Sequence, residues 1–124
     1  MHLSDSYMHK TFILKIFQKT VVSIIFFVII VFIREEFNMP EISLFYGIRV
    51  TMYYEDHNPP HFHAEYNGNK AIIDIAEARV IKGSLPSRQL KLILAWCVIH
   101  QDELMQNWEL SKDGLPLNRI NPLI

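Results

Sequence analysis

The chain has 124 residues, of which 50% are hydrophobic and 20% are charged, and its formal net charge is −1. This length fits one small domain, and this composition excludes an intrinsically disordered chain. The near-neutral charge also excludes a protein that binds nucleic acid through a large excess of positive charge.

Residues 1–38 differ in composition from the rest of the chain. They contain no glycine or proline, and they carry four Lys and Arg residues against three Asp and Glu residues. Residues 21–33 are thirteen residues without a charge, which is shorter than the roughly 18–20 apolar residues that span a bilayer. Extending the segment back to residue 12 gives enough length for a span but includes two lysines. We therefore predict an N-terminal hydrophobic helix.

Three interpretations of residues 1–38 stay open at this point. The favoured one is a mis-assigned start, with translation beginning at Met39 and a cytoplasmic protein. The alternative is a single-pass membrane protein whose span is residues 12–33, and the third is a helix packed on the domain. A cleaved signal peptide is not expected, because no small-residue cleavage pattern follows Ile33. Under each interpretation, residues 39–124 form a single domain.

The alternation of apolar and polar residues predicts about four short strands after residue 38. The predicted strands are residues 48–54, 61–66, 70–75 and 79–82. Glu55 to Pro60 is predicted to be a stiff loop, because two adjacent prolines hold their φ angles and lack backbone donors. Asn67-Gly68 predicts a tight hairpin turn, because both residues accept positive φ.

From Pro86 to Trp108 the apolar residues recur every three or four positions, which predicts an amphipathic helix. Asp113-Gly114 is a typical end signal for that helix. Gln101 interrupts the apolar stripe, so we expect a break near residues 100–102. The only cysteine, Cys97, lies within an apolar run and is predicted to be a buried small hydrophobe.

These elements together predict the α+β class. We expect a small antiparallel sheet of about four strands packed on one long or broken C-terminal helix, with an N-terminal hydrophobic helix in front.

The chemically distinctive feature of the sequence is a group of histidines. His57, His61 and His63 lie within seven residues, and Glu65 follows in the same register. On a strand, residues 61, 63 and 65 project from one face, while the intervening residues take the core face. Two imidazoles with a carboxylate or a third histidine suit a divalent cation such as Zn²⁺ or Fe²⁺. The four residues are therefore a candidate metal site.

Two further acidic residues are candidates for the same site, Asp56 in the loop and Asp74 in the third predicted strand. Other interpretations of the histidines stay open, namely a structural or interaction surface, or a metal-free site. In a metal-free site, His61 or His63 would act as a general acid or base oriented by a neighbouring carboxylate. The pattern identifies no substrate or reaction.

Several stretches of the chain resemble the bacterial family called "domain of unknown function 4160". These stretches are MPEI at 39–42, MYYEDHNPPHFHAEY at 52–66, LPSR at 85–88, Trp96, and NWEL at 107–110. The resemblance covers essentially all of residues 39–124, and its most specific motif is HNPPHFH at 57–63. Family members typically begin with a Met-Pro-Glu-Ile type of N-terminus, so residues 1–38 depart from the pattern.

The resemblance implies a partner and a genetic setting, but no established activity and no catalytic residues. Members are often encoded beside a second small protein of the "domain of unknown function 2442" type, which resembles a two-gene, toxin–antitoxin-like module. We therefore expect an interaction or regulatory component of such a module. The alternative is a divalent-metal-binding or hydrolytic, nuclease-like protein that uses the histidine group. Nucleic acid is not expected as a direct ligand of residues 39–124, which carry eight Lys and Arg against ten Asp and Glu.

Overall fold

The structure is a computed structural model that describes residues 2–124, with side chains described at positions 10, 13–33 and 38–124. The elements in chain order are α1 (His2–Asn38), β1 (Glu41–Phe45), β2 (Ile48–Thr51), β3 (His61–Tyr66), β4 (Asn69–Asp74), β5 (Arg79–Gly83), α2 (Ser87–Ile99) and α3 (Gln101–Lys112). The chain divides into two compact units, Met1–Phe37 and Asn38–Ile124. Met1 lies outside the described residues. That translation begins at Met39 and not at Met1 stays a prediction.

The first unit is the helix α1, as the apolar composition predicts. Its segment Ile13–Ile33 has 21 residues with a mean hydropathy of 2.6. By length and composition alone, this segment is able to cross a membrane, although a signal sequence near an N-terminus has the same properties. Apolar residues occur on every side of the helix, because Ser23 is the only polar residue between Val21 and Ile33. The location of the protein stays a prediction.

The second unit contains a five-stranded antiparallel sheet in the order β1-β2-β3-β4-β5, so strands adjacent in sequence are adjacent in the sheet. This sheet and its helices confirm the predicted α+β class, with one strand more than the four expected. The additional strand is β1, whose pairing with β2 shifts register between Glu41 and Ser43. Such a bulge breaks the alternation on which strand prediction relies, and Ile42 and Ser43 are accordingly both buried.

The two tight turns of the sheet have positive φ angles at both central residues. In the β3–β4 turn, Asn67 has φ 46° and Gly68 has φ 81°, as the Asn-Gly pair predicts. In the β1–β2 turn, Tyr46 has φ 48° and Gly47 has φ 76°. A tyrosine is a weak signal for this turn, which is a second reason why β1 was not predicted.

The C-terminal helix is broken at His100, between α2 and α3, and the predicted break is thereby confirmed. The side-chain amide of Gln101 donates to the carbonyls of Ile75 and Ala76, at 2.8 Å each. The residue that interrupts the apolar stripe therefore ties the start of α3 to the turn after β4.

The core lies between one face of the sheet and the two C-terminal helices. We call this the core face, and its fully buried side chains include Val50, Phe62, Ala64 and Ile73. The helices contribute Ile93, Trp96, Leu104 and Trp108. Complete burial of one large apolar side chain stabilises the fold by about 1.5–3 kcal/mol. Cys97 is buried as predicted, and its burial, with the nearby charge of Asp74, raises the pKa of the thiol to about 11.

Candidate functional site

The loop between β2 and β3 carries Asp56 and is held at both of its ends. The backbone N–H of Glu55 donates to the carbonyl of Ser111 in α3 at 3.3 Å, and the N–H of Ile75 donates to the carbonyl of Pro60 at 3.1 Å. The Asn58–Pro59 peptide bond is cis. Because α3 and the end of β4 anchor the loop, its path is set by residues far away in sequence.

Asp56 meets the two histidines of β3 at the start of that strand. Its Oδ2 lies 2.9 Å from Nε2 of His61 and 3.7 Å from Nε2 of His63. One ligand atom from each of the three residues lies within 4.8 Å of the other two. We call these residues the Asp-His-His cluster.

Both ring nitrogens of His61 face an oxygen acceptor. Nδ1 donates to the carbonyl of Pro59 at 2.7 Å, and Nε2 faces the carboxylate of Asp56. A neutral imidazole has one N–H, so it donates to only one of these two acceptors at a time. The ring is 8% exposed and packs against Trp108, with 5.2 Å between the ring centroids. Its orientation is therefore fixed on two sides.

His63 has a buried nitrogen without a partner. Its Nε2 makes no hydrogen bond among the described residues, because 3.7 Å from Asp56 is too long for one. Tyr53 packs against the imidazole in a T-shaped arrangement, with 4.2 Å between the ring centroids. Burial and the nearby His61 lower the pKa of His63, against the opposing attraction of Asp56. A neutral imidazole is thus the favoured form near pH 7.

Asp56 supplies the negative charge of the cluster. Burial by itself raises the pKa of this carboxyl group. The hydrogen bonds from the backbone of His57 and the side chain of His61, together with the charges of both histidines, outweigh burial and lower the pKa below its usual value. The N–H of His57 donates to Oδ1 at 2.9 Å, which leaves Oδ2 directed at His61 and His63.

The other predicted candidates lie outside the Asp-His-His cluster. His57 contacts Asp56, with its Nδ1 2.9 Å from Oδ1, but its side chain is 95% exposed. Glu65 lies two residues beyond His63 on β3 and pairs in the strand register with Arg49 and Lys70. The structure thus places Glu65 in a row of alternating charges across the sheet.

Asp74 lies opposite His61 in the register of β3 and β4, but its carboxylate is used elsewhere. Its Oδ1 accepts a hydrogen bond from the backbone N–H of Glu77 at 2.9 Å, which shapes the turn after β4. The structure therefore groups Asp56 with His61 and His63, and the Asp74 carboxylate is not part of that group.

A cleft of about 480 Å³ opens beside the cluster. It is lined by Asp56, His61 and His63 together with residues that sequence reasoning did not select, including Tyr53, Ile72 and Lys82. His63, Ile72 and Lys82 are register partners on β3, β4 and β5. Side chains of register partners lie on the same face of a sheet, so we call this surface the cleft face. β5 has two adjacent apolar residues, Val80 and Ile81, before Lys82, so no alternation in the sequence pointed to this lysine.

Comparison with known proteins identifies one family and no individual relative. The family described as "Domain of unknown function (DUF4160)" matches residues 47–109, a range that contains the cluster and every cleft residue named above. No curated protein and no solved structure matches the chain.

Proposed function

The chain belongs to the DUF4160 family, whose description names no activity, and we propose from the site itself that the protein binds a divalent metal ion, Zn²⁺ or Fe²⁺. The proposed ligands are Asp56, His61 and His63. The observation that carries the proposal is the convergence of one carboxylate oxygen and two imidazole nitrogens, one of which is buried and has no partner among the described residues. An unsatisfied buried polar atom costs about 1–3 kcal/mol, and a bound cation would remove that cost.

The separations of the ligand atoms fit a single ion. Two ligands about 2.0–2.2 Å from a tetrahedral ion lie about 3.3–3.6 Å apart, and octahedral neighbours lie closer, at about 2.9 Å. The carboxylate oxygen of Asp56 lies 2.9 and 3.7 Å from the two imidazole nitrogens. One ligand atom from each residue also lies within 4.8 Å of the other two, so side-chain shifts would bring all three atoms to one ion.

The surroundings of His61 also suit a metal ligand. A metal-binding histidine usually donates its second ring N–H to a carboxylate, a backbone carbonyl or water, which fixes the tautomer. Nδ1 of His61 donates to the carbonyl of Pro59. With an ion bound, Nε2 would present its lone pair to the ion in place of its contact with Asp56, and Trp108 packs against the ring in that orientation.

With three protein ligands the ion would keep at least one coordination position open, and all three ligands line the cleft. When bound, the ion supplies Lewis acidity and lowers the pKa of a coordinated water, which is the chemistry of a hydrolase. The chain's own residues have positioning roles: Pro59 and Trp108 orient His61, Tyr53 orients His63, and Asp56 provides one negative charge. A hydrolytic activity is the proposed consequence of this site.

The metal content of the full chain, purified in a mild non-ionic detergent, tests the proposal. We expect one ion per chain by elemental analysis, and a visible absorption band on loading with Co²⁺. Asp56→Asn and His63→Ala each remove a ligand, so we expect each to weaken Zn²⁺ binding at least about a hundredfold.

The matched control is His57→Ala, because this exposed histidine lies next to the cluster without belonging to it. We expect its metal affinity to equal that of the wild type. Far-ultraviolet circular dichroism of each metal-free variant checks that the fold is retained. A wild-type chain that holds well under one ion, with no change in His63→Ala, would overturn the proposal.

The expected role in a two-gene module is independent of the metal site and stays a prediction. It requires a partner of the "domain of unknown function 2442" type. Co-expression of the two chains followed by size-exclusion chromatography tests it, and separate elution at micromolar concentration would count against it.

A further inference from the structure

The cleft contains one positive side chain that the metal site does not use. Lys82 of β5 lines the cleft together with His63 and Ile72. Within the described side chains, at 10, 13–33 and 38–124, Lys82 has no ion-pair partner. Neighbouring strands are about 4.8 Å apart, so Lys82 lies about two strand spacings from His63, a gap that the four-carbon stem of a lysine largely covers.

The loaded site would carry an excess of positive charge. A divalent ion bound by one carboxylate and two neutral imidazoles retains one positive charge, and Lys82 adds a second. Asp56 is the only acidic side chain among the described residues that line the cleft. Uncompensated positive charge in a partly enclosed cleft attracts anions strongly, and a ligand with two negative charges would balance it.

The floor of the cleft between these charges is apolar. Ile72 is half-buried, and Ile81 is 47% exposed and also lines the cleft. The volume of about 480 Å³ lies within the range of sites for small molecules. The site thus combines a position for a dianion with an apolar surface beside it.

We infer that the cleft binds a small phosphate monoester with an apolar or aromatic organic group, an inference that rests on the proposed metal site. The phosphate dianion lies between the ion and Lys82, and the organic group lies on Ile72 and Ile81. Lys82 and Ile81 are thus ligand-recognising residues, whereas the Asp-His-His cluster holds the ion.

Isothermal titration of phenyl phosphate into the zinc-loaded full chain, in detergent, tests this assignment. We expect binding with one ligand per chain. Because Lys82 would make a charge-assisted hydrogen bond, we expect Lys82→Ala to weaken binding roughly 10- to 100-fold and Lys82→Arg to restore most of it. Zinc content should be unchanged in both variants, because neither touches a metal ligand.

Two controls test whether binding depends on the position of the lysine and on the charge of the ligand. Lys70→Ala removes a lysine on the neighbouring strand that does not line this cleft, and we expect no change in affinity. Benzoate keeps the aromatic ring but carries one negative charge, so it should bind more weakly than phenyl phosphate.

The apolar floor is tested by comparing phenyl phosphate with inorganic phosphate. We expect the wild type to prefer phenyl phosphate roughly tenfold, because its ring covers apolar surface. Ile81→Ser should remove this preference and leave the affinity for inorganic phosphate unchanged. Equal binding of the two ligands by the wild type would overturn the assignment of Ile81.

The outcomes distinguish the two proposals. A chain that binds one zinc ion but no phenyl phosphate, or that binds it equally well in Lys82→Ala, overturns the ligand inference and leaves the metal site intact. Equal phenyl phosphate binding with and without zinc overturns the placement of the phosphate at the ion. A chain that binds no zinc overturns the metal site, and the ligand inference falls with it.

Discussion

The six residues of β3 place apolar side chains on one face of the strand and histidines on the other. On the core face, Phe62 and Ala64 are 0% and 1% exposed, and Phe62 packs against Trp96 with 5.7 Å between the ring centroids. On the cleft face, His61 and His63 meet a carboxylate and leave one nitrogen without a partner. The core face therefore stabilises the fold by burying apolar side chains, while the cleft face keeps a buried nitrogen without a hydrogen-bond partner.

The largest expected difference in stability is between substitutions at two adjacent residues of β3. Phe62→Ala should lower the free energy of unfolding by about 3–5 kcal/mol, because it opens a cavity in the core. His63→Ala should change the stability of the metal-free chain by less than about 1 kcal/mol, because the loss of its ring contact with Tyr53 is offset by the removal of an unsatisfied buried nitrogen. Urea unfolding of both variants measures the difference, and equal losses would contradict the division between the two faces.

Two glycines with similar backbone angles differ in the space around them, one in the β3–β4 turn and one at the end of β5. Gly68 and Gly83 have φ 81° and 78°. A Cβ at Gly83 would overlap the carbonyl oxygen of Lys70, whereas a Cβ at Gly68 would meet nothing within 4 Å. We expect Gly68→Ala to cost about 1–2 kcal/mol from backbone strain alone. Gly83→Ala should cost about 1–3 kcal/mol more, because of the clash.

Thermal unfolding of the two alanine variants gives this difference directly. Because Gly83 follows Lys82 on β5, Gly83→Ala should also weaken phenyl phosphate binding while zinc binding remains. Equal stability of the two variants would show that β5 moves freely away from β4.

The smallest expected change in stability comes from comparing two polar residues, one on each side of the sheet. Asn107 of α3 is fully buried, and its amide donates to the carbonyl of Asn118 at 2.8 Å and accepts from its N–H at 2.9 Å. Asn107→Ala should therefore cost about 1–3 kcal/mol. Lys82→Ala, on the exposed side, should change stability by less than about 0.5 kcal/mol. A larger loss in Lys82→Ala would mean that this lysine supports the fold.

Local patterns in the sequence predicted much of the second unit. The alternation over 61–66 matches β3, Asn67-Gly68 forms the expected turn, and the helix breaks where Gln101 interrupts the apolar stripe. The missing element was β1, because its bulge removes the alternation and its turn uses Tyr46-Gly47. Strand prediction reads a period of two residues, so a single bulge suffices to hide a strand.

The candidate site was likewise predicted in part from local patterns in the sequence. The spacing of His61 and His63 was enough to predict that they share one face of β3, because alternate residues of a strand project to the same side. It also selected Glu65, on the same argument, although Glu65 lies outside the cluster.

The carboxylate that joins the two histidines, Asp56, and the lysine across the cleft from them, Lys82, became evident from the three-dimensional fold alone. Asp56 reaches the histidines because α3, through the carbonyl of Ser111, holds the loop that carries it. Lys82 reaches the cleft because two strand registers align it with His63. Both outcomes depend on contacts between residues distant in sequence, which no local period encodes.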